Sequence, residues 1–200
     1  MKSASIKSLL ACVGLLFSLT ACTTTLEVHK DCVAAGIAQP VAKGHASLVM
    51  ADTDRKQVFN GHPMSLTGGA TSVTLPLGEV VATVGEKVCT AYFTDGATVG
   101  ASAKPGDYVV SATPKSFSYK YDQLSNLGFA ITPKVSVAVD IGVKAPDGTV
   151  IVPEKTFERT DYSATGPYLA SLQAPEKINQ SLHSAVADIF REALDQLPKK

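Results

Sequence analysis

Lys134-Val135-Ser136-Val137-Ala138-Val139-Asp140-Ile141-Gly142-Val143 is the stretch that decides the fold. Val135, Val137, Val139, Ile141 and Val143 point one way, and Lys134, Ser136, Ala138 and Asp140 point the other, which is the period of two that a half-buried strand requires. Such a strand needs a core beneath one face. Just downstream, Ala145-Pro146-Asp147-Gly148 predicts a turn, because Pro presets its second position and Gly accepts a positive φ at its fourth. The chain is therefore expected to return as a hairpin from Val150 to about Tyr162. Lys155, Glu158, Arg159 and Asp161 give that strand the wet face of a one-sided antiparallel sheet. Upstream, the stretch from Tyr108 to Tyr121 alternates Phe117, Tyr119 and Tyr121 against Ser116, Ser118 and Lys120, with Pro114 marking an edge or a bulge.

Two helices flank these strands. After Pro76, the residues Val80, Val81, Val84, Val88, Cys89 and Tyr92 recur at spacings of three and four, which predicts a helix from about Leu77 to Phe93. Its β-branched residues lower the intrinsic propensity, so packing must hold it, and Gly85 is expected to let it approach a sheet closely. Pro175 and Glu176 suit the first turn of a second helix. From there Ile178, Leu182, Ala185, Val186, Ile189, Phe190, Ala193, Leu194 and Leu197 form an apolar stripe opposite Lys177, Gln180, His183, Asp188, Arg191, Glu192 and Asp195. Earlier, Ala46 to Met50 reads as a strand, Asp52 to Arg55 as a polar turn, Val58-Phe59 as that strand's hairpin partner, and Ser72 to Leu75 as a short strand or a helix lead-in. The expected class is α+β, an antiparallel sheet of about four or more strands with two amphipathic helices packed on one face.

The N-terminal region has a different character. Lys2 and Lys7 precede an apolar run from Leu9 to Phe17 that is too short to span a bilayer as a permanent helix, the pattern of a secretory signal peptide. Its exit, Leu19-Thr20-Ala21-Cys22, resembles the lipobox of bacterial lipoproteins. The resemblance implies cleavage between Ala21 and Cys22, diacylglycerol on the Cys22 thiol and acylation of the freed amine. Two or three acyl chains anchor a protein effectively permanently, where one alone holds it only marginally. Thr23, rather than Asp, beside that Cys implies the outer membrane by the same resemblance. The expected organisation is a lipoprotein signal peptide at 1–21, a lipidated Cys and tether or N-terminal segment at 22–43, and a single α+β periplasmic domain at 44–200.

Removing residues 1–21 takes away two Lys and no acids, so the 18 basic and 18 acidic residues become 16 and 18, a net charge of −2. That balance leaves no basic surplus for phosphates and argues against nucleic acid or anionic lipid headgroups as the main ligand. Cys12 would leave with the signal and Cys22 would carry lipid. Cys32 and Cys89 remain as a candidate disulfide in an oxidising compartment, with two separately buried thiols as the alternative. Such a bridge would restrict the unfolded chain by on the order of 4 kcal/mol in the chain-entropy model.

Reactive constellations are not apparent. His29, His45, His62 and His183 are scattered without one-turn spacing, and His29 near Cys32 is the single close ligand-like pair, so no metal site is expected. Gly96 to Gly100 lacks the Lys of a phosphate loop, Asp52 and Asp54 lack the Gly and Glu of a calcium loop, and no Gly-x-Ser-x-Gly elbow occurs. No catalytic residue and no cofactor is implied. The aromatic stripe Phe117, Tyr119, Tyr121 is either core or the lining of a groove for a lipid, a glycan or a partner strand.

With its lipobox, the Leu75-Pro76-Leu77-Gly78 patch before a helix, the Asp147-Gly148 hairpin and a closing amphipathic helix, the chain resembles small outer-membrane lipoproteins of the LptE and YajG kind. The resemblance implies a non-catalytic binding or accessory component of envelope machinery, anchored in the outer membrane and facing the periplasm. Its expected contacts are the membrane, through the lipid anchor, and an envelope protein or a lipid or glycan partner. Two other readings stand beside it: a small periplasmic hydrolase with a spatially assembled site, and a purely structural envelope lipoprotein.

Overall fold

The computed structural model describes residues 22–26, 40–65, 71–122, 131–165 and 174–198. Along them run β1 (Cys22–Thr25), β2 (Ala46–Val49), the one-turn helix α1 (Asp52–Arg55), β3 (Phe59–Gly61), β4 (Thr71–Leu75), α2 (Leu77–Tyr92), β5 (Ala97–Gly100), β6 (Tyr108–Asp122), β7 (Thr132–Lys144), β8 (Val150–Tyr162) and α3 (Ala174–Leu194). Residues 1–21, where the signal peptide is expected, lie outside the described residues.

The expectation of one antiparallel sheet with two helices is overturned. These strands form two mixed sheets, a three-stranded one in the order β1-β4-β3 and a five-stranded one in the order β5-β2-β6-β7-β8. β1 runs parallel to β4, and β2 runs parallel to both of its neighbours, β5 and β6. The antiparallel pairs are β3 with β4, β6 with β7 and β7 with β8. The physical reason is the connection. A tight turn forces antiparallel pairing, as at Ala145–Thr149, whereas the chain between β2 and β5 crosses over through α2 and returns in the same direction. Val58-Phe59 does not turn back on β2 either, because α1 intervenes and sends Phe59 to pair with Leu75.

Both long helices pack on the five-stranded sheet and on each other. The core is continuous from Leu48 and Val110 through Val135, Val139 and Ile141 to Val80, Val84, Ile189 and Phe190. Gly85 faces α3 rather than a sheet: a Cβ there would run into the Phe190 ring. Gly78 likewise lets α2 lie against the carbonyl of Asp54 in α1. His183, expected on the wet face of α3, is buried, with its Nδ1 2.8 Å from the Asn179 carbonyl oxygen. α3 is covered by α2 as well as by the sheet, so a single apolar stripe understates how much of it is enclosed.

The hairpin of β7 and β8 closes with Gly148 at φ 86°, its N–H donating to Ala145 O at 2.9 Å while Thr149 N–H donates to Asp147 Oδ1. β6 shifts register between Pro114 and Ser116, where Pro withholds a ladder donor. β8 carries a bulge near Asp161, which sits at φ 53°.

Candidate functional site

The three-stranded sheet gathers the features that bear on function. In β1 each residue pairs in register with β4, Cys22 with Thr71 through Thr25 with Thr74, and Leu26 N–H then donates to Thr74 O at 2.8 Å. Leu26 is buried, so the chain enters the fold at Cys22 itself. β3 flanks β4 on the other side, with Gly61 opposite Val73. A cavity of about 300 Å³ opens here, lined by Thr23, Asn60, Gly61, His62, Ser72, Val73 and Thr74. Thr23 and Ser72 share a hydroxyl–hydroxyl hydrogen bond of 2.8 Å, and Thr74 donates to Asn60 Oδ1 at 2.7 Å. The hydroxyls of Thr23, Ser72 and Thr74 and the amide of Asn60 share this lining with Gly61, Val73 and His62.

The segment leaving β3 is clamped to β6. Met64 N–H donates to Tyr119 O at 2.8 Å, Tyr121 N–H donates to Ser65 Oγ at 3.0 Å, and Tyr119 Oη–H donates to Gly61 O at 3.2 Å. These bonds cover part of an edge that would otherwise offer unpaired backbone groups. Phe117, Tyr119 and Tyr121 are buried beneath this segment. Phe59 meets Phe117 edge-on at 4.9 Å between centroids, and Tyr119 meets Tyr121 edge-on at 5.8 Å, geometries that aromatic quadrupoles favour. The stripe is core. Burial also pushes the Tyr119 phenol above its ordinary range.

One cluster was invisible in the sequence, because its members stand some sixty positions apart. Ser47 Oγ–H donates to Asp107 Oδ2 at 2.6 Å, and His45 Nδ1 lies 2.9 Å from the same oxygen. Lys104 N–H in turn donates to Ser47 Oγ at 3.1 Å. The hydrogen bond from Ser47 and the contacts with His45 hold the Asp107 carboxyl below the usual carboxylate range against the opposing effect of burial. In a nucleophile relay the His stands between Ser and Asp and takes the hydroxyl proton. Here Asp107 stands between them, and Ser47 is buried with its proton directed to that carboxylate. The cluster fastens the loop at 101–107, which must carry the chain back past β2 because β5 and β6 run the same way.

Ion pairs stud the outer face of the long strands: Lys115 with Asp140 at 2.9 Å, Lys120 with Asp161 at 2.6 Å and Lys134 with Asp122 at 2.6 Å. The Lys120–Asp161 pair, open on both sides, contributes little to stability, while Asp122 and Asp140 are more covered. Among the described residues no group of three or more His, Cys, Asp or Glu is placed to hold a metal ion, and no helix is long and apolar enough to cross a membrane. Cys89 is wholly buried, which pushes its thiol up to about 12. Cys32, its candidate partner, lies outside the described residues. Of Cys22 the structure gives the backbone pairing alone.

No family model matches the sequence, and no curated protein does. Among solved structures, the fold is similar to that of protein XCC0632 from Xanthomonas campestris, of family DUF330, with a TM-score of 0.52 and 13% identity over 87% of this chain and 95% of that one. Fainter likenesses run to a PelC dodecamer from Paraburkholderia phytofirmans, at TM-score 0.35 and 15% identity over 78% of this chain and 89% of that one. A minor lipoprotein from Acinetobacter baumannii stands at TM-score 0.36 and 11% identity over 78% of this chain and 97% of that one. At these identities, what is shared with the Xanthomonas protein is a fold.

Proposed function

We propose that the chain is a lipid-anchored envelope protein, held in the outer membrane through Cys22 and facing the periplasm, where it acts as a non-catalytic binding or accessory component. The observation that carries this reading is the sequence Leu19-Thr20-Ala21-Cys22, which ends where β1 begins. Cleavage before Cys22 would remove no residue of a described strand or helix. Affiliation with the LptE and YajG kind is the finer form of the same proposal and rests on the element order and the patches quoted above.

A hydrolase reading has one constellation to point to, the Ser47, Asp107 and His45 cluster. Its wiring disfavours that reading, since Ser47 is buried and its hydroxyl proton is held by the Asp107 carboxylate rather than by His45. Catalysis is therefore absent from the proposal. An envelope crosslink and pull-down of the Cys22-anchored protein, with the Cys22→Ala form as control, tests the accessory role. A recurrent stoichiometric partner that depends on Cys22 supports it. Recovery of abundant envelope bulk alone removes the accessory role in favour of a structural one.

A further inference from the structure

Cys22 and Met64 lie toward the same end of the molecule. β4 has β1 on one side and β3 on the other. Because Cys22 faces Thr71 and Gly61 faces Val73, the chain leaving β3 through His62 and Pro63 heads for the end at which β1 starts. Thr23 and His62, the neighbours of Cys22 and Gly61, line the same cavity. Adjacent strands lie about 4.8 Å apart, so two strand spacings, roughly 10 Å, separate β1 from the path of that segment.

Met64 is 76% exposed, more than any other large apolar side chain among the described residues. Its backbone is held to Tyr119, so the side chain is presented from a fixed tip. The other exposed large apolar residues, Val58 and Val150, belong to the opposite end: Val58 precedes Phe59, which pairs with the last residue of β4, and Val150 pairs with Lys144 near the start of β6. Residues 22–26, 60–65 and 71–75 include no Lys, Arg, Asp or Glu. The part of the rim built by the three-stranded sheet is uncharged, with the Lys120–Asp161 and Lys134–Asp122 pairs of the long strands beside it. One flexible thioether side chain in such surroundings suits the boundary between headgroups and acyl chains. No residue of slack separates Cys22 from the sheet. Once Cys22 is anchored, contact of Met64 with lipid is intramolecular and one side chain suffices to bias it.

We propose that this end of the domain is a bilayer-contact surface, with Met64 entering the interface beside the chains carried by Cys22, so that the domain sits on the membrane in one orientation instead of swinging from a tether. The proposal rests on the lipidation of Cys22. The chain contains no Trp, so one introduced indole reports on its own position. The lipidated full chain is prepared as Met64→Trp and, separately, as Val58→Trp, and reconstituted into phosphatidylethanolamine and phosphatidylglycerol vesicles containing brominated phosphatidylcholine. Expected are blue-shifted emission and severalfold stronger quenching for Met64→Trp than for Val58→Trp. Equal or absent quenching on protein that floats with the vesicles overturns the orientation while leaving the anchor intact. Protein that does not float overturns the anchor, and the orientation with it. Red emission in vesicles but blue emission in native envelopes assigns Met64 to a protein partner and also overturns the proposal.

Discussion

Ser47 donates its hydroxyl proton to Asp107 across 2.6 Å, and this one bond decides how the His45, Ser47 and Asp107 cluster is read. The carboxylate is an acceptor that two side chains share, and the bond fixes the loop at 101–107 against β2. Asp107→Asn should destabilise the domain by about 1–3 kcal/mol at neutral pH, the range for a buried donor losing a charged acceptor. The pH dependence follows from the lowered carboxyl of Asp107. Its stabilisation is complete above the unfolded carboxylate range, near pH 3.9, and is lost as pH falls through the lower folded value. Denaturant melts between about pH 6 and pH 3 should therefore show a shallower fall for Asp107→Asn than for the parent.

Gly85 lies where Phe190 leaves no room for a Cβ. In an exposed helix, Gly→Ala would stabilise by up to about 1 kcal/mol. Here Phe190 is fully buried and its ring cannot swing away, so the overpacking term of about 1–3 kcal/mol wins and Gly85→Ala should destabilise. A double-mutant cycle with Phe190→Leu should return a favourable coupling, because the smaller side chain vacates the colliding volume.

Asp161 holds φ 53° within β8, a left-handed conformation that Asp tolerates and β-branched residues do not. Asp161→Val should cost about 1–2 kcal/mol. Asp161→Gly should stay within about 1 kcal/mol of the parent, since relief of the backbone offsets the loss of the exposed pair with Lys120. Thermal melts of the two variants separate backbone strain from charge.

Phe117 packs edge-on against Phe59 inside the core. Phe117→Ala should lower stability by about 3–5 kcal/mol, the usual range for a buried aromatic truncated to Ala. A wild-type melting profile with altered partner capture would place Phe117 in a groove instead.

The sequence made the long hairpin legible because both of its causes are local: the alternation from Val135 to Val143 and the Pro146-Asp147-Gly148 turn. Both long helices were legible for the same reason, as spacing and Pro position sit within one segment. The parallel pairing of β2 with β5 and β6 was not, because alternation announces a strand and says nothing of its partner across a crossover. β5 itself passed for a Gly-rich loop, being four residues long and flanked by Gly96. His183 carried no sign of burial, since its ring is satisfied by a carbonyl one turn back on its own helix. At the candidate site, Cys22 enters through the lipobox resemblance of Leu19 to Cys22, an expectation that its backbone pairing with Thr71 does not test. Its neighbours Asn60, His62 and Ser72 were not legible, because only the three-stranded sheet brings them together.

The central claim is that Cys22 anchors the protein, and fractionation of cells expressing the full chain or Cys22→Ala tests it most directly. The account predicts that the full chain stays in the outer-membrane fraction through a high-salt wash and that Cys22→Ala moves to the soluble fraction while still folded. A Cys22→Ala protein that remains in the outer-membrane fraction after that wash would contradict it.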